Sequence, residues 1–379
     1  MPEILILLIK ITVIVFVFVL GLASMLTLFG DRKLSAKIQN RVGPMQAQFF
    51  GFSLGGIPHF MADGLKMILK ENLAPQGANR FLFFLAPSLV FVPMLLGWAI
   101  IPFMDHYCVG EVQVLANYQE VCHGEYRNYF QIMNFNSGLL FAFAIASVSV
   151  YGAAIAGWAS NSKFSLLGGL RSTAQMISYE VSLGLSLGGI LLIYSTLNLN
   201  QMVIEQGTML WGWIPLWGIV MQPVAFFIFF LAGMAETKRM PFDLPEGESE
   251  IVAGYHTEYS TMNFAIIQLS EYAATIFIAA LIAVIFLGGW QVPYLYADGF
   301  YFGGIANPSL HIDIPYIVVT ILRVLAMLGK IVFIVWLQFM MRWTLPRFRY
   351  DQIMVLGWKI LLPLSLANLV ITAIIVAIF

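Results

Sequence analysis

Charge is scarce in this chain. Of its 379 residues 10% are charged and 60% hydrophobic, and 19 Lys plus Arg nearly balance 20 Asp plus Glu. A formal net charge of −1 offers no broad basic surface, and no nucleic-acid partner is expected. Cysteine is almost missing as well. Cys108 and Cys122 are the complete set, so no cysteine cluster can hold zinc or an iron–sulfur centre, and five scattered His give no ligand spacing. The chain is therefore expected to carry no metal, flavin or other redox centre of its own. Both cysteines fall in one segment, 105–133, and a disulfide between them is a hypothesis that the spacing leaves open. Internal repeats are absent too, which argues against a transporter built from inverted repeats. No linker or low-complexity stretch divides the chain, so 1–379 reads as a single transmembrane domain. No small-residue cleavage site follows the first apolar run, which therefore reads as a span and not as a signal peptide.

What the chain has in abundance is long apolar runs. A mean hydropathy of +0.85 places it among polytopic membrane proteins. A membrane crossing needs roughly 20 mostly apolar residues. Eight segments qualify: 4–29, 82–104, 134–159, 175–197, 215–235, 263–288, 315–341 and 354–379. The fold class expected is an all-α bundle of eight transmembrane helices. Loops 30–81, 160–174, 236–262 and 342–353 then share one face and carry fourteen of the 19 basic residues, while Arg127 is the sole basic residue in the loops of the other. Positive-inside bias puts the basic face inside and both termini outside. In loop 30–81, Phe60, Leu65, Ile68 and Leu69 recur at helical spacing, with Asp63, Lys66 and Lys70 displaced from them. A short amphipathic helix at the interface fits that pattern. Arg41-Val42-Gly43-Pro44 reads as a turn.

Against this background, ETKRMPFDLPEGESEIVAGYHTE (236–258) concentrates Glu236, Glu246, Glu248, Glu250, Glu258 and Asp243 beside Lys238 and Arg239. A plain reading is a solvated loop kept out of lipid by its charge. Two details weigh against it. Met240, Phe242, Leu244, Ile251, Val252 and Tyr255 are interspersed, so the loop should pack back onto protein; and Asp243, Glu246 and Glu250 would share a face in any helical portion. Two carboxylates about 6 Å apart at an effective dielectric near 20 repel by about 3 kcal/mol. That lifts one of them from about 4.3 towards neutrality, where it can hold and release a proton. The implied chemistry is proton transfer, with neither nucleophile nor metal.

Within the expected spans lie Lys10, Glu180, Glu271, Arg323 and Lys330. Each is either a static partner fixing helix register or a functional group. Lys10 and Lys359 read as snorkelling to the interface. Arg32, Lys33, Lys37 and Arg41 serve at least as topogenic charge. Arg342, Arg347, Arg349 and Asp351 lie in RWTLPRFRYDQ, whose density of Arg and aromatics suggests docking against a partner protein.

Five motifs, in order NRVGP, ADGLKMILKE, LRSTAQMISYE, AETKRMPFDLPEGESEIVAGYHTEYS and LPRFRYDQ, closely resemble one membrane-subunit family of proton-translocating NADH–quinone oxidoreductase, respiratory complex I: the H subunit of bacteria, numbered 1 in mitochondria. The resemblance runs from about residue 20 to the C-terminus. It implies eight transmembrane helices and a chamber for quinone, ubiquinone or menaquinone, with Arg32, Arg41, Asp63 and Phe242 at its mouth and wall. It implies a proton path that begins with Glu180 and Glu236, with Arg171, Arg239, Asp243, Glu246, Glu248, Glu250, Glu258 and Glu271 at the associated polar positions. Lys330 falls where bacterial members often carry Lys. The partners implied are hydrophilic-arm subunits bearing iron–sulfur clusters and antiporter-like membrane subunits, in a bacterial cell membrane sooner than a mitochondrial one. Three departures stand out: Asp31 where Glu usually precedes Arg-Lys, GGIPHFMADG with its His59 in place of a Leu-Gln-Pro-rich approach, and a long outer loop 105–133. Two alternatives remain at this point: the homologous subunit of a membrane-bound hydrogenase or a ferredoxin- or formate-linked complex, and a stand-alone ion transporter.

Overall fold

The computed structural model describes residues 2–15, 21–48, 51–52, 56–105, 107–109, 112–114, 120–127, 129–210, 214–245, 252–302 and 310–378. Within them the chain is mostly helical. The helices used below are α1 (Pro2–Thr12), α2 (Gly21–Met25), α3 (Ser35–Ile38), α4 (Ile57–Leu69), α5 (Arg80–Gly97), α6 (Gly138–Ala159), α7 (Lys163–Tyr194), α8 (Leu199–Gln206), α9 (Gly218–Met221), α10 (Pro223–Glu236), α11 (Thr261–Phe286), α12 (Tyr316–Thr344), α13 (Tyr350–Val355) and α14 (Leu362–Ile378). A π-helical stretch, Leu26–Leu34, joins α2 to α3, and a second, Leu356–Leu361, joins α13 to α14.

Six stretches among the described residues are long and apolar enough to cross a membrane: Arg80–Ile100, Gly138–Ala159, Lys163–Tyr194, Thr261–Phe286, Tyr316–Thr344 and Tyr350–Ile378. Two of the eight expected spans are not among the six. The first includes residues 16–20, which lie outside the described residues. The fifth is divided, because α9 stops at Gln222, whose backbone leaves the helical region one residue before Pro223, and the apolar helix α10 then runs for 14 residues. Proline disfavours helical geometry in the residue before it and is itself well suited to a first helical position.

α11 is the axis of the bundle. Of its most apolar window 89% is buried by the rest of the chain, whereas the same figure for the stretch containing α14 is 17%. It packs against α5, α10 and α12. From residue 276 to its end its side chains are apolar all round, as expected for a helix segment enclosed by others. Close approach of neighbours depends on missing side chains. A Cβ on Gly233 would meet Ile278, and one on Gly97 would meet the Phe277 ring.

The turn between α6 and α7 is confined to 160–162, so residues 163–174, expected as loop, form the first turns of a 32-residue helix. α4 forms where an amphipathic helix was expected, begins after Gly56 in a left-handed conformation, and buries none of its residues. The turn lies at 39–40, just before the expected 41–44, which bends at Arg41 and Pro44 with Gly43 at φ +79°.

Small sheets cover the opposite end of the bundle. β1 (Tyr107–Val109) pairs with β4 (Glu125–Arg127), and β2 (Val112–Val114) with β3 (Glu120–Cys122), all antiparallel. Cys108 and Cys122 are joined as a disulfide, with Cα atoms 5.8 Å apart.

Candidate functional site

The ends of α10 and α11 that lie near the 236–258 segment bring buried charge together. Glu236, the last residue of α10, is 8% exposed, and its Oε2 has no hydrogen-bond partner among the described residues. Glu271, ten residues into α11, is 6% exposed. Lys238, 5% exposed and held in a left-handed turn conformation at φ +55°, lines one small cavity with both acids. Its Nζ donates to the hydroxyl of Tyr255 at 3.1 Å, and that hydroxyl donates to Glu271 Oε1 at 2.7 Å. The same ammonium lies 4.4 Å from the Tyr255 ring centroid. A cavity of about 30 Å³ is lined by Glu236, Thr237, Lys238, Ser270 and Glu271 together with apolar neighbours. It is of the size and polarity that hold a single water.

Tyr255 is delivered by a short 3-10 turn, Gly254–His256, that rests on α7. The contact requires glycine. A Cβ on Gly168 would stand 2.5 Å from the carbonyl carbon of Gly254 and from the amide nitrogen of Tyr255. Across the same helix, Gln175 Nε2 donates to the carbonyls of Ala235 and Phe242, both at 2.8 Å, fixing the chain on either side of the charged turn.

A second cluster adjoins the first through bonded neighbours. Asp31, in the π-helical stretch, accepts from the Tyr272 hydroxyl and from Arg342 Nη1, and lies 3.6 Å from Arg239 Nη1. The Arg239 guanidinium stacks 3.9 Å from the Tyr272 ring centroid. Burial pulls the Arg239 pKa down, but Tyr272, Asp31 and Glu271 pull it up by more, so this cation stays charged. Asp243 pairs with Arg347 at 2.7 Å. Burial raises the Asp243 carboxyl above its usual range, and the Arg347 guanidinium only partly offsets that. Further out, Arg32 pairs with Asp63 at 2.5 Å with both side chains nearly half exposed.

The other expected site residues are distributed as follows. Glu180, on α7, accepts from Ser147 on α6. Arg171 lies 5.8 Å from the Tyr350 ring centroid. Glu258 is half-buried in the turn before α11. Arg41 is exposed and its Nε donates to Gln39 at 2.8 Å. Phe242 is fully buried between Tyr179 and Phe348. Of the arginine run read as a docking surface, Arg342 pairs with Asp31 and Arg347 with Asp243, and Arg347, Arg349 and Asp351 are exposed. His59 accepts from the Ala47 amide at 2.9 Å. Glu246, Glu248 and Glu250 lie outside the described residues. The helical face that Asp243 was to share with two of them does not form at Asp243 itself, where residues 240–245 run as turn and bend between Pro241 and Pro245.

Tyr255 reads from the sequence only as a packing residue and Tyr272 is not singled out, although they supply the hydroxyls that tie the cluster together. The available signal was adjacency to acid: Tyr272 follows Glu271, and Tyr255 stands three residues before Glu258. Among the described residues, no group of three or more His, Cys, Asp or Glu is arranged to hold a metal ion.

Comparison with known proteins identifies the family. The family model described as NADH dehydrogenase matches residues 9–373. The chain is 42% identical to the second NADH-quinone oxidoreductase H subunit of Koribacter versatilis over 370 residues, covering 98% of this chain and 96% of that protein. It is 38% identical to the first such H subunit of Cytophaga hutchinsonii, with 98% and 97% covered, and 38% identical to the second of Geobacter metallireducens, with 96% and 94% covered. With buried charge gathered at one end of an apolar helical bundle and similarity along nearly its whole length, the chain belongs to the H-subunit family of NADH-quinone oxidoreductase, as a membrane protein.

Proposed function

We propose that this chain forms part of the quinone chamber of a bacterial complex I and couples quinone reduction to proton translocation through its buried carboxylates. The observation that carries the reading is two sheltered acids, Glu236 and Glu271, lining one small cavity with Lys238, whose ammonium donates to the Tyr255 hydroxyl that in turn donates to Glu271. Reduction of a quinone to a quinol consumes protons and changes local charge. A carboxylate held near a buried cation responds to such a change by altering its protonation, because in a poorly solvated site each charge is felt strongly by its neighbours. Lys238 supplies that cation, and Tyr255 OH gives the proton a route between polar atoms. The Asp31–Arg239–Arg342–Tyr272 cluster adjoins this pair through peptide bonds, and Arg32 with Asp63 stands at the rim. On this reading the rim accepts the quinone headgroup, Arg41 supports the approach, and Phe242 backs the wall from within the core.

The basic end faces the inner side of the cell membrane and docks hydrophilic-arm subunits that carry iron–sulfur clusters; Arg349 and Asp351 are exposed for that contact. Antiporter-like subunits continue the proton path within the membrane. Both chain termini lie on the outer side. Glu180, Arg171, Glu258 and the acidic residues Glu246, Glu248 and Glu250 belong to the same path. The test is Glu236→Gln in the assembled complex, read as NADH–quinone reductase activity and proton translocation in membrane vesicles. Both should fall by about tenfold or more. Wild-type rates of both would overturn the assignment.

A further inference from the structure

Gln175 is fully buried on α7, beside the charged turn that follows α10, and lies outside the residues assigned to the proton path above. Its Nε2 gives both hydrogens away, one to the carbonyl of Ala235 and one to that of Phe242, each at 2.8 Å. Its Oε1 is buried as well and has no hydrogen-bond partner among the described residues. Burying an amide is costly, and leaving its acceptor unpaired adds to the cost. A methionine would fill a similar space without either penalty. Stability alone therefore gives no reason for a glutamine here, whereas its two donated bonds do.

Those bonds close a turn made of two halves. In the first, the Lys238 amide donates to the Ala235 carbonyl at 3.3 Å; in the second, the Phe242 amide donates to the Arg239 carbonyl at 2.8 Å. Among the described residues no backbone hydrogen bond joins one half to the other. The junction is the Lys238–Arg239 peptide, and Lys238 stands there at φ +55°, a conformation costly for a residue with a side chain. The half that begins at Arg239 is fastened on its own account. Arg239 is held by Asp31 and Tyr272, the Phe242 ring lies in the core, and the Pro241 carbonyl accepts from the Phe348 amide at 3.3 Å. The Lys238 half hangs from the end of α10 and reaches the Tyr255 hydroxyl. Strained backbone persists only where its surroundings over-determine it. Gln175 supplies the bridge across the junction, from a single nitrogen.

We propose that Gln175 is a positioning residue for proton coupling: by tying Ala235 to Phe242 it holds Lys238 in its strained conformation, with the ammonium on Tyr255 and in the small cavity shared with Glu236 and Glu271. The inference rests on the proton-path reading of those acids for its catalytic meaning, and not for its geometry. Without the bridge, Lys238 relaxes to negative φ and its ammonium turns away from the two acids.

The experiment uses the assembled complex in lipid nanodiscs and two variants. Gln175→Met keeps the length and loses the donors; Gln175→Glu keeps the shape and puts an acceptor where the donor was. Acetylation by a water-soluble succinimidyl ester is followed for each lysine by peptide mass spectrometry. Lys238 is expected to react about tenfold faster in both variants than in the wild type, as the pinned turn gives way to an open one. Lys330, whose Nζ donates to the carbonyls of Gly289 and Gln291 past the end of α11, should keep its wild-type rate. NADH–quinone reduction by the same preparations should lose about tenfold in kcat with the quinone KM within about twofold, since the rim that accepts the headgroup is untouched. An unchanged Lys238 rate in both variants overturns the proposal. A Lys330 rate that rises as much as that of Lys238, or failure of both variants to assemble, overturns it in favour of a packing role. Faster Lys238 acetylation with undiminished kcat upholds the positioning and counts instead against the proton-path reading.

Discussion

A single hydroxyl, that of Tyr255, touches both Lys238 and Glu271. Tyr255→Phe keeps the ring under the Lys238 ammonium and deletes only the link, leaving two buried charged groups one partner short. The expected cost is about 1–3 kcal/mol of stability, together with a several-fold fall in proton-coupled quinone reduction. Thermal melting and vesicle assays check the two separately; unchanged coupling would remove Tyr255 from the proton route. Asp243 yields a pH prediction. Its carboxyl is raised in the folded chain, chiefly by burial, so its contribution to stability is fully present below the unfolded value, about 3.9, and is lost as pH rises through the higher folded value. Asp243→Asn should flatten the stability profile across that window. Melting curves over a pH series test this, and an undiminished slope would refute it. These residue-level details are only partly readable in the sequence. Glu236 and Glu271 stand out because acids are rare in this chain. Asp31 reads only as a shorter substitute for Glu, and nothing in its surroundings says that Arg239, Tyr272 and Arg342 converge on it from three distant segments.

At the scale of elements, α7 shows what a hydropathy reading misses. Lys163 and Arg171 look like loop because they are charged, yet they occupy the first turns of one long helix that continues beyond its apolar part. The helix matters there because its Gly168 seats the Gly254–Tyr255 turn. Gly168→Ala places a methyl against backbone that has no side chain to swing away, and overpacking of this kind costs about 1–3 kcal/mol. The displaced turn carries Tyr255 with it. Reduced melting temperature together with reduced coupling is the expected pair of results, and an unaltered melt would show that the turn can yield. The broken fifth span has the opposite origin. Its hydropathy is continuous through 215–235, but Pro223 forces a break that an average over many residues conceals.

Across the whole molecule, the two ends handle charge differently. One gathers buried acids around Lys238 and Arg239; the other fastens a disulfide-bearing loop to the bundle through Glu120 and the buried Arg323. Glu120→Gln would remove the carboxylate that Arg323 is bonded to and leave only the more distant field of Asp105, at a cost of about 3–5 kcal/mol, whereas pairing it with Arg323→Leu should recover much of the loss. Denaturation of the single and double variants measures the difference, and equal stability would show that the pair is dispensable. The bundle itself is readable from its apolar runs; the loop's grip on it is not, because a 203-residue separation joins Glu120 to Arg323. The near-total enclosure of α11 bears on how the chain is made. A ribosome delivers this segment before α12, so for a time one flank meets fatty acyl chains in place of its eventual protein cover, and Tyr272 waits for the Arg342 end of the cluster to arrive. Any nascent product halted between 287 and 315 would therefore present a half-wrapped axis to the membrane's surveillance proteases.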